Sequence, residues 1–407
     1  MLDIEHLNSP SQHLRVAVVS ETWPPEINGV AVTMHRLAVE LGRRGHSIQV
    51  VRPRQAGPVA NEENAFEQTL TRGLPIPAYP HLRMGLPAKR LLVRLWEHQR
   101  PDIVHVATEG PLGWSAVQAA RKLKLPVSSD FRTNFHQYGQ HYGVGKLTKV
   151  IAKYLRKFHN QTHFTTVPTA KLRSELQALG FERLEVLSRG VDTERFSPTH
   201  RSDALRQRWG VTPLTRAYLY VGRLAVEKNP VLLAKAWQRI VAKDARARLV
   251  IVGEGPAAPQ YRDLLPDAIY AGSRTGQDLA THYASADVFL FPSTTETYGN
   301  VVAEAMASGL MGLTFNYAAS SELVRHDTNG WVASYADETD YLAMASDLGS
   351  MSPDHLTRCR EQARVTMQSH GWDAISLKIE QLWREQMNNQ QQQTHLAPTA
   401  DSVLPLT

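Results

Sequence analysis

Short apolar runs, each closed by Pro, Gly, Ser or Asp, alternate along the chain with stretches whose apolar residues recur at helical spacing. LRVAVVS (residues 14–20) predicts a first buried parallel strand. The loop ETWPPEINGVAV then leads into an amphipathic helix over residues 33–44 that Gly45 ends, and HSIQVVRP predicts a second strand. Strand, glycine-bearing loop, helix and strand in that order make a doubly wound half-sheet, whose ligands sit beyond the carboxyl ends of the strands. PDIVHV (101–106) predicts another strand before TEGP and a helix. LPVSSD (125–130) leads to the next strand end, and residues 165–168 and 186–189 read as the last strands of this half. From about residue 200 a second half begins, with apolar runs at 218–221, 248–252 and 287–291. Residues 371–388 have a helical pattern, and the chain from about Asn389 is polar and of low complexity, so disorder is expected there.

A length of 407 residues independently predicts two domains, each able to bury its own core. Composition, 42% hydrophobic and 21% charged, is that of an ordinary globular protein. The single cysteine, Cys359, excludes an internal disulfide and a cysteine-based metal site, and suits a reducing cytoplasm. A formal net charge of +6 favours anionic partners without naming one, and no nucleic-acid partner is expected. The first residues are too polar for a signal peptide, and no window is long and apolar enough to span a bilayer. Membrane contact, if made, is therefore expected to be peripheral.

The richest chemistry lies in residues 287–310. The strand DVFLF stops at Pro292, and a polar loop carries Glu296 and Tyr298-Gly299-Asn300. From Val301 the chain reads as a helix containing Glu304, with Ser308-Gly309 as its stop and Asn300 as its expected N-cap. Free amides at such a helix start meet an anion, while the carboxylates accept hydrogen bonds from sugar hydroxyls. By residue type alone the two glutamates are also consistent with solvated surface charges. The strand-loop-helix as a whole resembles the Glu-x7-Glu stretch of retaining glycosyltransferases of the family four type. That resemblance puts Glu296 at the donor sugar and Glu304 at the nucleotide ribose, with Tyr298, Gly299, Asn300 and Val301 in the donor site.

Other segments extend the resemblance over roughly residues 14–388. Arg223 and Lys228, in the loop after the strand at 218–221, match the family's GR-x4-K pattern and form a cationic cradle for a diphosphate leaving group. Gly253, Gly255 and Ala258 fit a dinucleotide fingerprint by spacing, but Pro256 interrupts it and the first strand has no such loop. By resemblance, Gly253 and Gly255 lie near the nucleotide base, with Ser273 and Arg274 opposite, and Gly29 near the diphosphate. Many relatives have a histidine before threonine at the reaction centre. Here Arg132 precedes Thr133 and His136 is the nearest histidine, which leaves the role open among Arg132, His136 and neither.

The resemblance implies an α/β protein of the GT-B fold, two Rossmann-like doubly wound domains facing a central cleft. Expected boundaries are a flexible N-terminus (1–13), an acceptor-side domain (14–195), a nucleotide-sugar domain (196–370), a helix crossing back (371–388) and a disordered tail (389–407). It also implies transfer of a hexosyl unit, with retention, from GDP-mannose or a UDP-sugar. Among relatives it points to bacterial GDP-mannose-dependent α-mannosyltransferases and diacylglycerol glycosyltransferases. No Asp-x-Asp motif occurs, so neither a metal nor another cofactor is expected. Residues 145–160 carry five basic and no acidic residues over a helical apolar stripe. They read either as a core-packed helix with a solvated face or as a peripheral contact with anionic lipid on the inner face of the cytoplasmic membrane. A lipid acceptor fits the second reading and a soluble or carrier-linked glycan the first, while a non-catalytic nucleotide-sugar-binding protein is a further alternative. An oxidoreductase is disfavoured by the missing first-strand fingerprint.

Overall fold

The computed structural model describes residues 13–26, 28–55, 66–76, 79–132, 146–296 and 298–395. The chain forms two compact units. The first comprises residues up to Pro168, Leu172–Leu187 and the chain from Ile375 onward; the second comprises Thr169–Lys171 and Ser188–Ala374.

The first unit is built on β1 (Arg15–Val19), β2 (Ser47–Pro53), β3 (Glu67–Thr71), a hairpin of β4 (Gly73–Ile76) and β5 (Tyr79–Gly85), β6 (Ile103–Val106), β7 (Val127–Asp130), β8 (Phe164–Val167) and β9 (Leu184–Val186). Apart from the hairpin these form one parallel sheet in the order β3-β2-β1-β6-β7-β8-β9. The central strands are buried on both faces, as helical crossovers require. Leu92, Trp96, Leu112, Val117 and Phe158 pack against β1 and β6.

The helix predicted over 33–44 begins earlier, at Gly29, and ends at Arg43. Asn28 starts it: its side chain accepts from the amides of Val30 (3.1 Å) and Ala31 (2.9 Å), a cap the apolar periodicity does not reveal.

The second unit is built on β10 (Ala217–Val221), β11 (Arg248–Val252), β12 (Ile269–Gly272), β13 (Val288–Phe291), β14 (Met311–Phe315) and β15 (Gly330–Ala333). They form a parallel sheet in the order β12-β11-β10-β13-β14-β15. AYLYV and VFLF are buried throughout and pair side by side, so the order reverses between them. Such a reversal sends successive helices to opposite faces and leaves a crevice at the strand ends.

This unit begins at Ser188, ahead of the boundary expected at 196. The backbone explains the difference: the Val191 amide donates to His370 O (2.9 Å), and Arg364 donates to Thr193 O and Phe196 O. At the other end of β13, buried Asp287 accepts from the Ala217 amide (2.8 Å) and pairs with Arg201, Arg206 and Arg360. Those three guanidiniums hold its carboxyl below the usual range despite burial, which acts the other way.

The last helix, Trp372–His395, continues past residue 388, where the tail was expected to start. Gln and Met are good helix formers, so low complexity does not end a helix already under way. From Ile375 it belongs to the first unit. Fully buried Trp383 donates to Ser128 Oγ (3.0 Å), and its ring meets that of His105 at 5.6 Å. Glu380 accepts from Arg44 (2.8 Å) and Arg384 (2.8 Å) and lies 3.1 Å from His46. These partners outweigh burial and lower its carboxyl to about 2.

Candidate active site

The carboxyl ends of β10 and β13 open onto a cavity of about 370 Å³. Its lining includes Gly222, Arg223 and Lys228 after β10, and Glu296, Tyr298, Gly299, Asn300 and Val301 after β13. Two segments some seventy residues apart in sequence are thus brought together at the point where the strand order reverses.

Lys228 is 14% exposed; its ammonium donates to Thr295 O (3.3 Å) and pairs with Glu296. Ser293 Oγ donates to the same carboxylate at 3.0 Å. Arg223 is far more exposed, at 66%, and pairs with Glu227 one helical turn on. Asn229, with φ 60°, ends this loop and caps the helix Pro230–Val241 by accepting from Leu232 N. A short loop with a sharp exit thereby fixes the lysine against the carboxylate.

The helix Asn300–Ala307 starts differently from expectation. Asn300 is its first residue and Gly299 is the N-cap, with φ 88° and no capping side chain. A left-handed cap suits glycine, and it leaves the amides of the first turn without a side-chain acceptor. Those amides and the positive end of the helix dipole sit in the cavity wall, an arrangement that attracts an anion. The C-terminal stop at Ser308-Gly309 is as predicted: Gly309 N bonds Met306 O and Leu310 N bonds Ala305 O, both at 3.0 Å.

The structure separates some residues that the sequence grouped. Glu304 is outside the cavity lining; it accepts from Tyr283 OH at 3.0 Å, and burial pushes its carboxyl up to about 7. Gly253 and Gly255 do not line the cavity either. A Cβ on Gly253 would lie 1.9 Å from Gly222 O, and one on Gly255 2.4 Å from Leu224 O. These glycines let the loop after β11 pack directly on the loop that carries Arg223. Ser273 is exposed, and Arg274 bonds Ala271 O (2.8 Å) and Asp278 (3.0 Å).

In the first unit, Arg132 is buried against Asp130 (Nε to Oδ2, 2.6 Å), with His105 3.7 Å from the same carboxylate. Thr166 also donates to Asp130, and these partners hold its carboxyl well below the usual range. Arg132 therefore forms an ion pair at the end of β7. Gly29 is the first residue of its helix, and Asn28 already accepts from the next two amides. His136 lies outside the described residues.

One charged cavity residue was not singled out from sequence. Arg189, 7% exposed, stacks over the Tyr298 ring (5.5 Å) and donates from Nη1 to Asn300 Oδ1 (3.4 Å). It comes from the start of the second unit, more than one hundred positions away, so only the tertiary fold connects it with the loop after β13.

Comparison with known proteins decides what such a cavity belongs to. The signature described as Glycosyltransferase Family 4 matches residues 27–195, and that described as Glycosyl transferases group 1 matches residues 215–349. A GDP-mannose-dependent alpha-mannosyltransferase of Corynebacterium glutamicum is 30% identical over 398 residues, 97% of this chain and 95% of that one. The chain belongs to the family four glycosyltransferases. An alpha-monoglucosyldiacylglycerol synthase of Streptococcus pneumoniae is 24% identical over 309 residues, 73% of this chain and 70% of that one. A glycosyltransferase structure from Rickettsia africae superposes with a TM-score of 0.72 at 16% identity, covering 93% of this chain and 99% of that one. The protein is therefore a nucleotide-sugar glycosyltransferase of GT-B architecture, with two Rossmann-like units.

Proposed function

We propose that this glycosyltransferase transfers a hexosyl unit, with retention and without a metal ion, from GDP-mannose or a UDP-sugar to a membrane lipid or lipid-linked acceptor. The cavity between the ends of β10 and β13 carries the reading, because three cations, a carboxylate and an open helix N-terminus converge there. The mannosyl donor is favoured by the Corynebacterium relative and the lipid acceptor by the Streptococcus relative.

In this reading the donor diphosphate lies against Lys228, Arg223 and the first amides of the Asn300 helix, and Glu296 holds sugar hydroxyls. The acceptor oxygen attacks the anomeric carbon from the face that the diphosphate leaves. The carbon–oxygen bond to phosphate breaks as the glycosidic bond forms, and a phosphate oxygen takes the acceptor's proton. The cations and helix dipole stabilise charge where it develops, the largest single contribution in most such reactions. No protein nucleophile is required.

The helix Lys146–His159 bears on the acceptor. Leu155 and Phe158 are buried, so much of its apolar stripe serves the core. Its outer face carries Lys149, Val150, Lys153, Tyr154, Arg156 and Lys157 exposed, with Lys157 over the Trp114 ring and Tyr154 stacked on it. Among the described residues no helix is long and apolar enough to cross a membrane. We assign this face to reversible contact with an anionic leaflet on the cytoplasmic side, where each basic residue contributes about 1 kcal/mol.

The experiment is a panel of nucleotide sugars scored for thermal stabilisation, followed by transfer to lipid and soluble acceptors with the anomer read by NMR. Stabilisation by GDP-mannose and an α-linked lipid product are expected. Binding to anionic liposomes should weaken with salt and drop sharply when Lys149, Lys153 and Lys157 become Glu. A protein that ignores anionic liposomes at low salt and glycosylates only soluble acceptors would remove the lipid assignment.

A further inference from the structure

We propose that Arg189 is a third cation of the donor cavity, contacting the diphosphate directly and setting the start of the Asn300 helix at the same time. The inference rests on the donor reading of the cavity and adds to it a residue from the start of the second unit.

Four observations meet at this side chain. Arg189 lines the cavity that holds Arg223, Lys228 and the helix start. It is more than nine-tenths buried, whereas Arg223 is two-thirds exposed, so its charge acts through protein with little screening by solvent. Its guanidinium lies over the Tyr298 ring, and its Nη1 donates to the side chain of Asn300. Tyr298 and Asn300 flank Gly299, whose left-handed backbone turns the first helix amides toward the cavity. One planar group thus stacks on the residue before the cap and bonds the residue after it.

Arginine suits this position better than lysine. A guanidinium is flat enough to stack and can bond the protein through one edge while another edge meets an oxyanion, whereas an ammonium is a hydrated point charge. Lys228 is paired with Glu296 and Arg223 with Glu227. A third cation, stacked on Tyr298, adds a further donor to the cavity for a diphosphate of charge about −2 to −3.

Isothermal calorimetry on full-length Arg189→Gln and Arg189→Lys tests the inference, with guanosine diphosphate, uridine diphosphate and the corresponding free nucleosides as ligands. Arg189→Gln should weaken the diphosphate that the parent binds best by roughly 10- to 100-fold, the range for hydrogen bonds to charged groups, and leave the nucleoside unchanged. Arg189→Lys should recover part of the loss, and the parent's affinity should fall more steeply with salt than that of Arg189→Gln. Equal losses for nucleoside and diphosphate, or no loss, would overturn the direct contact and leave Arg189 a packing residue. If Arg189→Gln does not fold, Arg189→Lys decides by the same ratio of diphosphate to nucleoside loss. A parent protein that binds no nucleoside diphosphate overturns the donor reading itself, a result distinct from a variant that binds as the parent does.

Discussion

Both units place a helix N-terminus at the point where their strand order reverses, and they treat it in opposite ways. In the first unit, between β1 and β6, the protein supplies its own anion. Glu21 accepts from the Leu112 amide (2.9 Å) at the start of the helix Pro111–Lys122, and its own amide is bonded by Thr108 Oγ1 (2.9 Å). Burial holds the Glu21 carboxyl above its usual range, partly offset by the amide bonds. In the second unit, between β10 and β13, Gly299 supplies no side chain and the helix start faces a cavity with three basic residues. The architecture therefore does not decide which crevice binds an external anion. Both helices have a glycine cap without a capping side chain, and the difference is whether a side chain from another loop fills the helix start, as Glu21 does at Leu112, or leaves it open.

That contrast is broken most severely at Lys228. Lys228→Ala removes the more buried cation of the loop after β10 and leaves Glu296 without its ion partner, so turnover should fall roughly 100- to 1,000-fold. Arg223→Ala should lose less because its side chain is largely in solvent. Steady-state kinetics with the best donor give the order, and an exposed arginine more damaging than the lysine would contradict this account of the cavity.

A paired glycine experiment sharpens the comparison. Gly299→Ala forces a Cβ into a left-handed backbone, costing about 1–2 kcal/mol, and should weaken nucleoside diphosphate binding on the order of 10-fold. Gly110→Ala would put a Cβ 2.2 Å from the Glu21 carboxylate and should lower stability while leaving diphosphate affinity intact. Thermal melts and calorimetry on both variants separate the filled helix start from the open one.

The smallest effect concerns pH. Glu304 titrates near 7 when folded against an ordinary value of 4.5, so the folded chain holds a proton that the unfolded chain has lost. Its contribution to stability is full below about 4.5 and declines as pH rises to about 7, then levels off. Glu304→Gln should flatten this part of the stability profile. A slope unchanged in chemical denaturation across that range would place the titrating group elsewhere.

The parallel strands were legible because AYLYV, RLVIV and VFLF can only be buried on both faces, and the Arg223–Lys228 loop because a motif travels with its strand. The cap at Gly299 was misread because Asn300 has the better capping side chain, while the backbone turn requires the glycine. The hairpin of β4 and β5 had no clear periodicity to announce it, whereas the helix Lys89–His98, with Leu92, Val93 and Trp96 on one buried face, had one that was not singled out. Arg189 escaped because its partners are assembled only by tertiary folding, and the burial of Glu304 because spacing from Glu296 says nothing of how deep its carboxyl lies. Most of the framework was readable in one dimension; which of the candidate residues line the cavity was not.

The docking of Trp383 and Glu380 has a consequence for the order in which the molecule is made. Ribosomal synthesis runs from the first unit to the second, yet the first unit keeps an unfilled place beside His105 and Ser128 until the last helix emerges. The second unit, nearly continuous from Ser188 to Ala374, has all its strands before that point. The half translated first is therefore the half that matures last, and a premature stop ahead of Trp383 would leave its defect in the opposite half of the chain.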